Sequence, residues 1–414
     1  MAFTVGMKRT SFFYFASFVT SLLGNSVTAI ALPLLVLFTT GSPLDAGIVA
    51  IAAALPAAIA GLLMGSLIDR INRRTASILS DAISAVALVI LPIVELTAGL
   101  NLGWFIAVAI LGSFGDVPGM TAREAMLPAI AKAVGSEPAR LIGLREAMTG
   151  VTMLIGPAVA GVLVAALEPV TVLWITSGMA ALSVLLTLGI PSGATAHQRH
   201  RDAAPTTQGV RGLLHGLTLL LRSPLLRMML LLAVTLGVVL AAMQGMVIPV
   251  HFAFQDEPQF VGFVLSSLAA GLLVGGGLFA GLANRIPRRV WFISGIATLA
   301  VGLGGLAFLG PVWSIFASAA VAGLGGGAMN AVVGLTFVEN VAENQRGRVL
   351  GAQNAILTLT PALGIGGGAV LIEGGSLHLA TTVFVSLWVI VALASLLSPR
   401  VRRLGEPARE LVDA

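Results

Sequence analysis

Four acids fall within or at the edge of long apolar runs in the first half of the chain: Asp81, Asp116, Glu124 and Glu146. The second half has none well inside such a run. A carboxylate placed in hydrocarbon costs roughly 2.5–3.5 kcal/mol on insertion scales, so it needs a counter-charge, a watered cavity or a proton. Desolvation favours the protonated form, and an acid tuned in this way can load and release a proton near neutral pH. Asp116 and then Glu146 lead as proton-coupling candidates, with Asp81 a third. The competing reading is an internal salt bridge, for which Asp81 and Glu124 have Arg70, Arg73 and Arg123 as candidate partners.

Amides in similar surroundings are the candidate solute contacts: Asn25, Gln244, Asn330, Gln353 and Asn354. Hydrogen bonding between helices is the alternative for each. A cavity near the membrane midplane between two halves, with so few polar groups, suits a lipophilic or amphipathic solute, cationic if Asp116 faces it. A sugar or phosphate would demand more hydrogen bonding.

Other chemistry is excluded by what the chain lacks. It has no Cys, so thiolate metal sites, disulfides and cysteine nucleophiles are out. Its only lysines are Lys8 and Lys132, which leaves no Gly-Lys-Ser/Thr phosphate loop. The histidines lack the His-Glu-x-x-His spacing of a zinc hydrolase, and no Gly-x-Ser-x-Gly occurs. Gly323-x-Gly325-x-x-Ala328 and Gly364-x-Gly366-x-x-Ala369 lie inside apolar helical runs, where helix packing accounts for them and dinucleotide binding does not. No enzyme, metal or cofactor is therefore expected. The net charge of +5 is scattered between apolar runs, which argues against nucleic acid.

The elements that must position these residues follow from composition. Of 414 residues 57% are hydrophobic and 10% charged, and the mean hydropathy is +1.00. Apolar runs of roughly 20 residues predict helices near 11–38, 44–68, 75–98, 102–121, 142–166 and 170–192, then near 226–250, 260–283, 290–309, 312–336, 349–372 and 377–398. The first run reads as a retained span and not a cleaved leader. All 23 Lys and Arg fall before the first helix, in or within a turn of alternate connections, or after the last. Basic residues mark the cytoplasmic side, so the expectation is an all-α membrane protein of 12 spans with both termini cytoplasmic. Trp104, Trp174, Trp291 and Trp313 stand at helix ends as expected interfacial anchors, while Trp388 is deeper.

The expected domains are a six-helix bundle over 1–192, a cytoplasmic linker over 193–225, a second six-helix bundle over 226–398 and a tail over 399–414. Within the linker, Arg211–Arg222 reads either as a short amphipathic surface helix or as part of a tether. The halves echo each other: Arg70-Ile71-Asn72-Arg73-Arg74 recurs as Arg285-Ile286-Pro287-Arg288-Arg289, and Arg140, Gly143 and Gly156 recur as Arg348, Gly351 and Gly364. Duplication into pseudo-symmetric bundles accounts for both.

Gly65-Ser66-Leu67-Ile68-Asp69-Arg70-Ile71-Asn72-Arg73-Arg74 resembles the signature of the major facilitator superfamily between its second and third helices. The resemblance implies a cytoplasmic gate of Gly65, Asp69, Arg70, Arg73 and Arg74, with Glu124 on the fourth helix as partner of Arg73. A solvated, topology-setting turn is the alternative for the arginines. Asn72 stands where the signature has glycine and tolerates left-handed geometry. Asn284 stands where the second copy would need an acid, so a weaker charged latch is expected there.

Segments 24–36, 41–43, 115–128, 143–161 and 346–351 are similar to the bacterial drug:proton antiporter branch that includes Tap-type, macrolide and enterobactin exporters. Gly150, Gly156, Pro157 and Gly161 resemble that branch's fifth-helix antiporter motif, with close helix packing the alternative. The likeness implies a monomeric, proton-driven exporter of lipophilic or amphipathic drugs, multi-pass in a bacterial plasma membrane and working by alternating access. A dedicated metabolite or siderophore exporter, or an importer, are the rival readings. Relatives often carry an acid where this chain has Asn25.

Overall fold

The computed structural model describes residues 2–68, 72–191, 210–341, 343–399 and 401. Helix dominates because in hydrocarbon each backbone N–H and C=O must find its partner within the segment. The first six helices are α1 (Ala2–Thr40), α2 (Pro43–Ile68), α3 (Arg73–Thr97), α4 (Leu102–Val134), α5 (Pro138–Ala166) and α6 (Pro169–Leu188). A short α7 (Val210–Arg222) precedes α8 (Pro224–Ala242), which passes through a π-helical turn, Met243–Val247, into α9 (Ile248–Ala253). Then come α10 (Gln259–Leu282), α11 (Arg288–Ala307), α12 (Val312–Asn340), α13 (Glu343–Leu357), α14 (Thr360–Glu373) and α15 (Leu377–Leu397).

Among the described residues, 11 helical stretches are long and apolar enough to cross a membrane, and a shorter apolar helix occupies Pro43–Ile59. Local sequence sets the helix ends. Asn72, Asn101, Ser223 and Ser376 cap α3, α4, α8 and α15 by accepting from the N–H of Arg74, Trp104, Leu226 and Leu379. Pro138, Pro169 and Pro224 open α5, α6 and α8, where the missing N–H costs nothing. Gly135 closes α4 in the left-handed region at φ 65°. Asn72 itself is extended, at φ −60° and ψ 127°. The left-handed turn expected there is absent, and a side-chain acceptor is what the position uses.

Proline also explains the interruptions. Pro361 has no N–H for the carbonyl of Leu357, and the Thr360 hydroxyl donates to that carbonyl at 2.8 Å. The break between α13 and α14 therefore leaves no orphan acceptor at that point. The π turn likewise directly precedes Pro249, whose missing donor the chain accommodates by local widening.

Helix α3 shows how the first helices pack. It buries Ser77, Ser80, Asp81, Ser84 and Ala87 and turns Leu79, Val86 and Ile93 outward, an inverted amphipathicity suited to lipid. Small residues on α4 meet that stripe. A Cβ on Gly115 would lie 2.3 Å from Ser84 Oγ and 2.8 Å from the Ser80 carbonyl oxygen. Ser80 Oγ in turn donates to the Gly115 carbonyl at 2.6 Å.

Helix α4 runs to Val134, well past the end expected near 121. Ala122, Arg123, Met126, Leu127, Ile130 and Ala131 are buried at helical spacing, and the last four pack with Tyr14, Phe15, Leu141 and Ile190. The charges of Arg123, Glu124 and Lys132 had hidden this period in the sequence. Arg211–Arg222 is helical, which settles the tether alternative for that stretch. Gly216 of α7 sits so close to α13 that a Cβ would lie 2.2 Å from the Arg348 carbonyl oxygen. Trp104, Trp174 and Trp313 are exposed at helix ends, but Trp291 is buried edge-on against Phe279 and is no interfacial anchor. Trp388 is fully buried.

Two compact units divide the chain: Met1–Ala204 with Phe252–Gly262, and Pro205–His251 with Phe263–Ala414.

The α3–α4 contact gives a direct test. Gly115→Val should destabilise the detergent-solubilised protein by about 1–3 kcal/mol through overpacking, read as a lowered Tm. Gly143→Ala, where a Cβ meets nothing within 4 Å, should leave Tm unchanged.

Candidate functional site

The most buried charged groups described in the first unit form an ion pair. Arg123 of α4 is 2% exposed and Asp81 of α3 is 4% exposed, and Arg123 Nη2 donates to Asp81 Oδ2. Hydroxyls fill much of the shell, while Arg123 Nε has no partner among the described residues. Ser21 Oγ of α1 donates to Asp81 Oδ1 at 3.1 Å and accepts from Arg123 Nη1 at 3.2 Å. Ser183 Oγ of α6 accepts from Arg123 Nη2 at 2.8 Å, and its single proton faces Asp81 Oδ2 at 2.7 Å and the Ser17 carbonyl at 3.0 Å. Tyr14 of α1 donates to the Arg123 carbonyl at 3.0 Å. One charge pair thus ties α1, α3, α4 and α6 together, and Asp81 has a counter-ion in place.

Glu124 and Glu146 are also committed. Arg145 of α5 reaches Glu124 Oε1 with Nη1 at 2.6 Å and pairs with Glu146 through Nη2. Both glutamates are exposed, with Arg145 half-buried between them. Asp116, at mid-helix on α4, differs. Its Oδ1 accepts from Ser84 Oγ at 3.0 Å, the residue is exposed, and it makes no ion pair among the described residues.

The expected Arg73–Glu124 latch is not formed. Arg73 Nη1 donates instead to the carbonyl of Ala125 at 2.7 Å, one residue further along α4, while Glu124 faces Arg145. Arg74 caps the end of α6 through the carbonyls of Thr187 at 3.3 Å and Leu188 at 2.8 Å. Gly65 lies on α2, and the expected roles of Asp69 and Arg70 lie outside the described residues. The second unit carries an ion pair at the corresponding place, whereas the comparison of Asn284 with Asp69 lies outside the described residues. Arg288 holds Glu339 with both Nη atoms, Nη2 to Oε1 at 2.7 Å. Arg73 and Glu124 stand 215 positions before Arg288 and Glu339 (288 − 73 = 339 − 124 = 215), so the same two positions are paired in one copy and separated in the other. Arg145 supplies the physical reason: it offers Glu124 a second cation from α5.

Of the fifth-helix motif, Gly156 lets α5 approach α1, since a Cβ there would lie 2.7 Å from Ser26 Cβ. Gly161 and Pro157 meet Gln259–Gly262, which belongs to the same compact unit. A Cβ on Gly262 would lie 1.9 Å from the Pro157 carbonyl oxygen, and one on Gly161 would lie 2.4 Å from that of Gln259. These glycines make backbone-to-backbone contact; Gly150 is half-buried on the same helix.

The five amides keep their hydrogen-bonding capacity. Asn25, Gln244 and Gln353 are half-buried, Asn330 and Asn354 are exposed, and none of their side chains makes a hydrogen bond among the described residues. Gln244 lies in the π turn, which widens the backbone locally. Sequence reasoning missed Ser21, Ser84, Ser183, Arg145 and Glu339. Serines in apolar helices carry no distinguishing pattern, whereas the Arg288–Glu339 pair was available from the repeat offset.

Among the described residues, eleven helices long and apolar enough to cross a membrane, with apolar side chains outward, describe a multi-pass membrane protein, and its family and relatives make it a transporter and not an enzyme. The chain belongs to the Major Facilitator Superfamily, whose model matches residues 14–255 and 240–413. It is 30% identical over 386 residues to the multidrug efflux pump Tap of Mycolicibacterium fortuitum, across 92% of this chain and 93% of that one. It is 31% identical over 396 residues to the multidrug efflux pump Tap of Mycobacterium tuberculosis, across 94% and 93%. A crystal structure of a variant of the nucleoside transporter NupG superposes with a TM-score of 0.75 at 15% identity, covering 92% of this chain and 98% of that one, a likeness of fold.

Removing one partner from a buried pair strands the other. Asp81→Leu should cost about 3–5 kcal/mol and lower Tm sharply. Adding Arg123→Met to it should recover most of the loss, because no uncompensated charge then remains.

Proposed function

We propose that this protein is a proton-coupled drug efflux transporter that moves lipophilic or amphipathic solutes by alternating access. It acts as a monomer, needs no cofactor and draws on the proton gradient. The proposed topology is 12 spans, with α2 completing the 11 that meet the length criterion and both termini cytoplasmic. Six spans lie in each bundle, over 1–192 and 226–398, joined by the 193–225 linker and followed by the 399–414 tail. Full-length identity of 30–31% to pumps named for multidrug efflux supports the substrate class. The gathering of all 23 basic residues in the terminal segments and in or around alternate connections supports the orientation.

The observation that carries proton coupling is the sorting of the four intramembrane acids. Asp81 is held by Arg123, and Glu124 and Glu146 share Arg145, while Asp116 has one hydroxyl donor. A carboxylate with a fixed cation stays ionised through a transport cycle. One with a single hydroxyl donor gains from taking up a proton when water leaves it. Asp116 is the proposed proton carrier, and Ser84 holds its carboxylate toward α3. The unpaired amides Asn25, Gln244, Asn330, Gln353 and Asn354 are the proposed solute contacts.

In proteoliposomes with an imposed pH gradient, wild-type protein should drive uphill flux of a cationic dye. Asp116→Asn should abolish the uphill component while leaving downhill exchange and protein content intact. Undiminished uphill flux in that variant would remove Asp116 from the mechanism.

A further inference from the structure

A crevice of about 850 Å³ opens in the first unit between the N-terminal half of α1 and the first turns of α5. Its deeper walls are apolar, formed by Phe15, Val19, Leu144 and Met148. Its polar groups are Ser11 near the start of α1, Ser136 in the α4–α5 connection and Arg140 in the first turn of α5 at one end, with Thr20 of α1 at the other. At about 1.5 Å rise per residue, the wall from Ser11 to Thr20 is roughly 13 Å long. Apart from Thr20, the lining away from the guanidinium is hydrocarbon.

Charge makes the choice of occupant. Among the described residues, Arg140 is the only charged side chain in the lining, and no acid contributes to it. Its guanidinium makes no ion pair or hydrogen bond among the described residues, in contrast to Arg145 five positions on, which is held by two glutamates. Glu137 is the nearest acid in sequence, exposed in the preceding connection, and it pairs with no described cation. Arg9 lies over the Phe13 ring, 5.4 Å from its centroid, and makes no ion pair among the described residues. A drug cation would meet repulsion from Arg140 here and find no carboxylate among the described lining residues. A basic residue at the mouth of an apolar cleft between membrane helices suits an anionic head group with its acyl chain inside.

We propose that this crevice binds an anionic phospholipid of the cytoplasmic leaflet, its phosphate on Arg140 and an acyl chain between α1 and α5. The leaflet assignment rests on the topology proposed above. The lipid binding itself rests on the crevice alone.

Native mass spectrometry and thermal unfolding of the detergent-purified full chain, titrated with phosphatidylglycerol or phosphatidylcholine, test it. Phosphatidylglycerol should bind saturably and raise Tm, and phosphatidylcholine should bind more weakly. Arg140→Gln should weaken phosphatidylglycerol binding roughly fivefold, as expected for one basic residue near an anionic head group, and Arg140→Lys should restore most of it. Met148→Trp should block both lipids by filling the crevice, with an unchanged Tm in lipid-free detergent showing that it folds. Equal binding of the two lipids, or no effect of Arg140→Gln, would overturn the proposal. So would tighter binding of glycerol phosphate or of decanoate, because either would point to a soluble anion. The chain has no Cys, so a Ser136→Cys variant can report sidedness in vesicles. Labelling from the outer side only would refute the leaflet and topology while leaving the lipid result standing.

Discussion

The Arg123–Asp81 pair is the constraint around which the first unit is arranged. Two charges in a low-dielectric core carry a desolvation penalty that their mutual attraction offsets only when the remaining lone pairs and protons are also satisfied. Ser21 and Ser183 supply most of those bonds, leaving Arg123 Nε without a described partner, and they oblige α1 and α6 to stand beside α3 and α4. The small residues at the α3–α4 contact follow from the same demand, since the two backbones must come close for the pair to meet. In the sequence, Ile296 and Val338 occupy the positions 215 residues on, so the second copy cannot repeat this pair.

That asymmetry extends to the membrane surface. Arg145 draws Glu124 and Glu146 to α5, which releases Arg73 to the Ala125 carbonyl, and the second copy keeps the Arg288–Glu339 pair. Each cation has been assigned by local competition among acceptors and not by the motif in which it stands. What survives the sorting is Asp116, the one acid of the four without a fixed cation, and on this the proposed proton coupling depends.

The spans were legible because hydrocarbon imposes length and apolarity, and these can be read from runs such as 377–398 without knowing any contact. The repeat was legible for the same reason, through Arg70–Arg74 and Arg285–Arg289. Partner choice was not. Spacing shows that Arg73 can reach α4, but a carbonyl and a carboxylate are both acceptors, and only the position of Arg145 decides between them. Asn72 stands where the signature has glycine, yet its backbone is extended and its side chain caps α3, a role the sequence reading did not assign. The extension of α4 was hidden because buried Arg123 reads in sequence as a loop charge. Trp291 was misread because an indole at a helix end can turn inward as easily as outward.

The account's central claim is that protons exchange at Asp116 and not at the ion-paired acids. The most direct measurement is proton release by the detergent-solubilised protein in weak buffer, followed with a pH indicator as an exported cationic dye is added. Wild-type protein and Glu146→Gln should release protons on dye binding, and Asp116→Asn should bind dye without release. Release from Asp116→Asn equal to that of the wild type would contradict it.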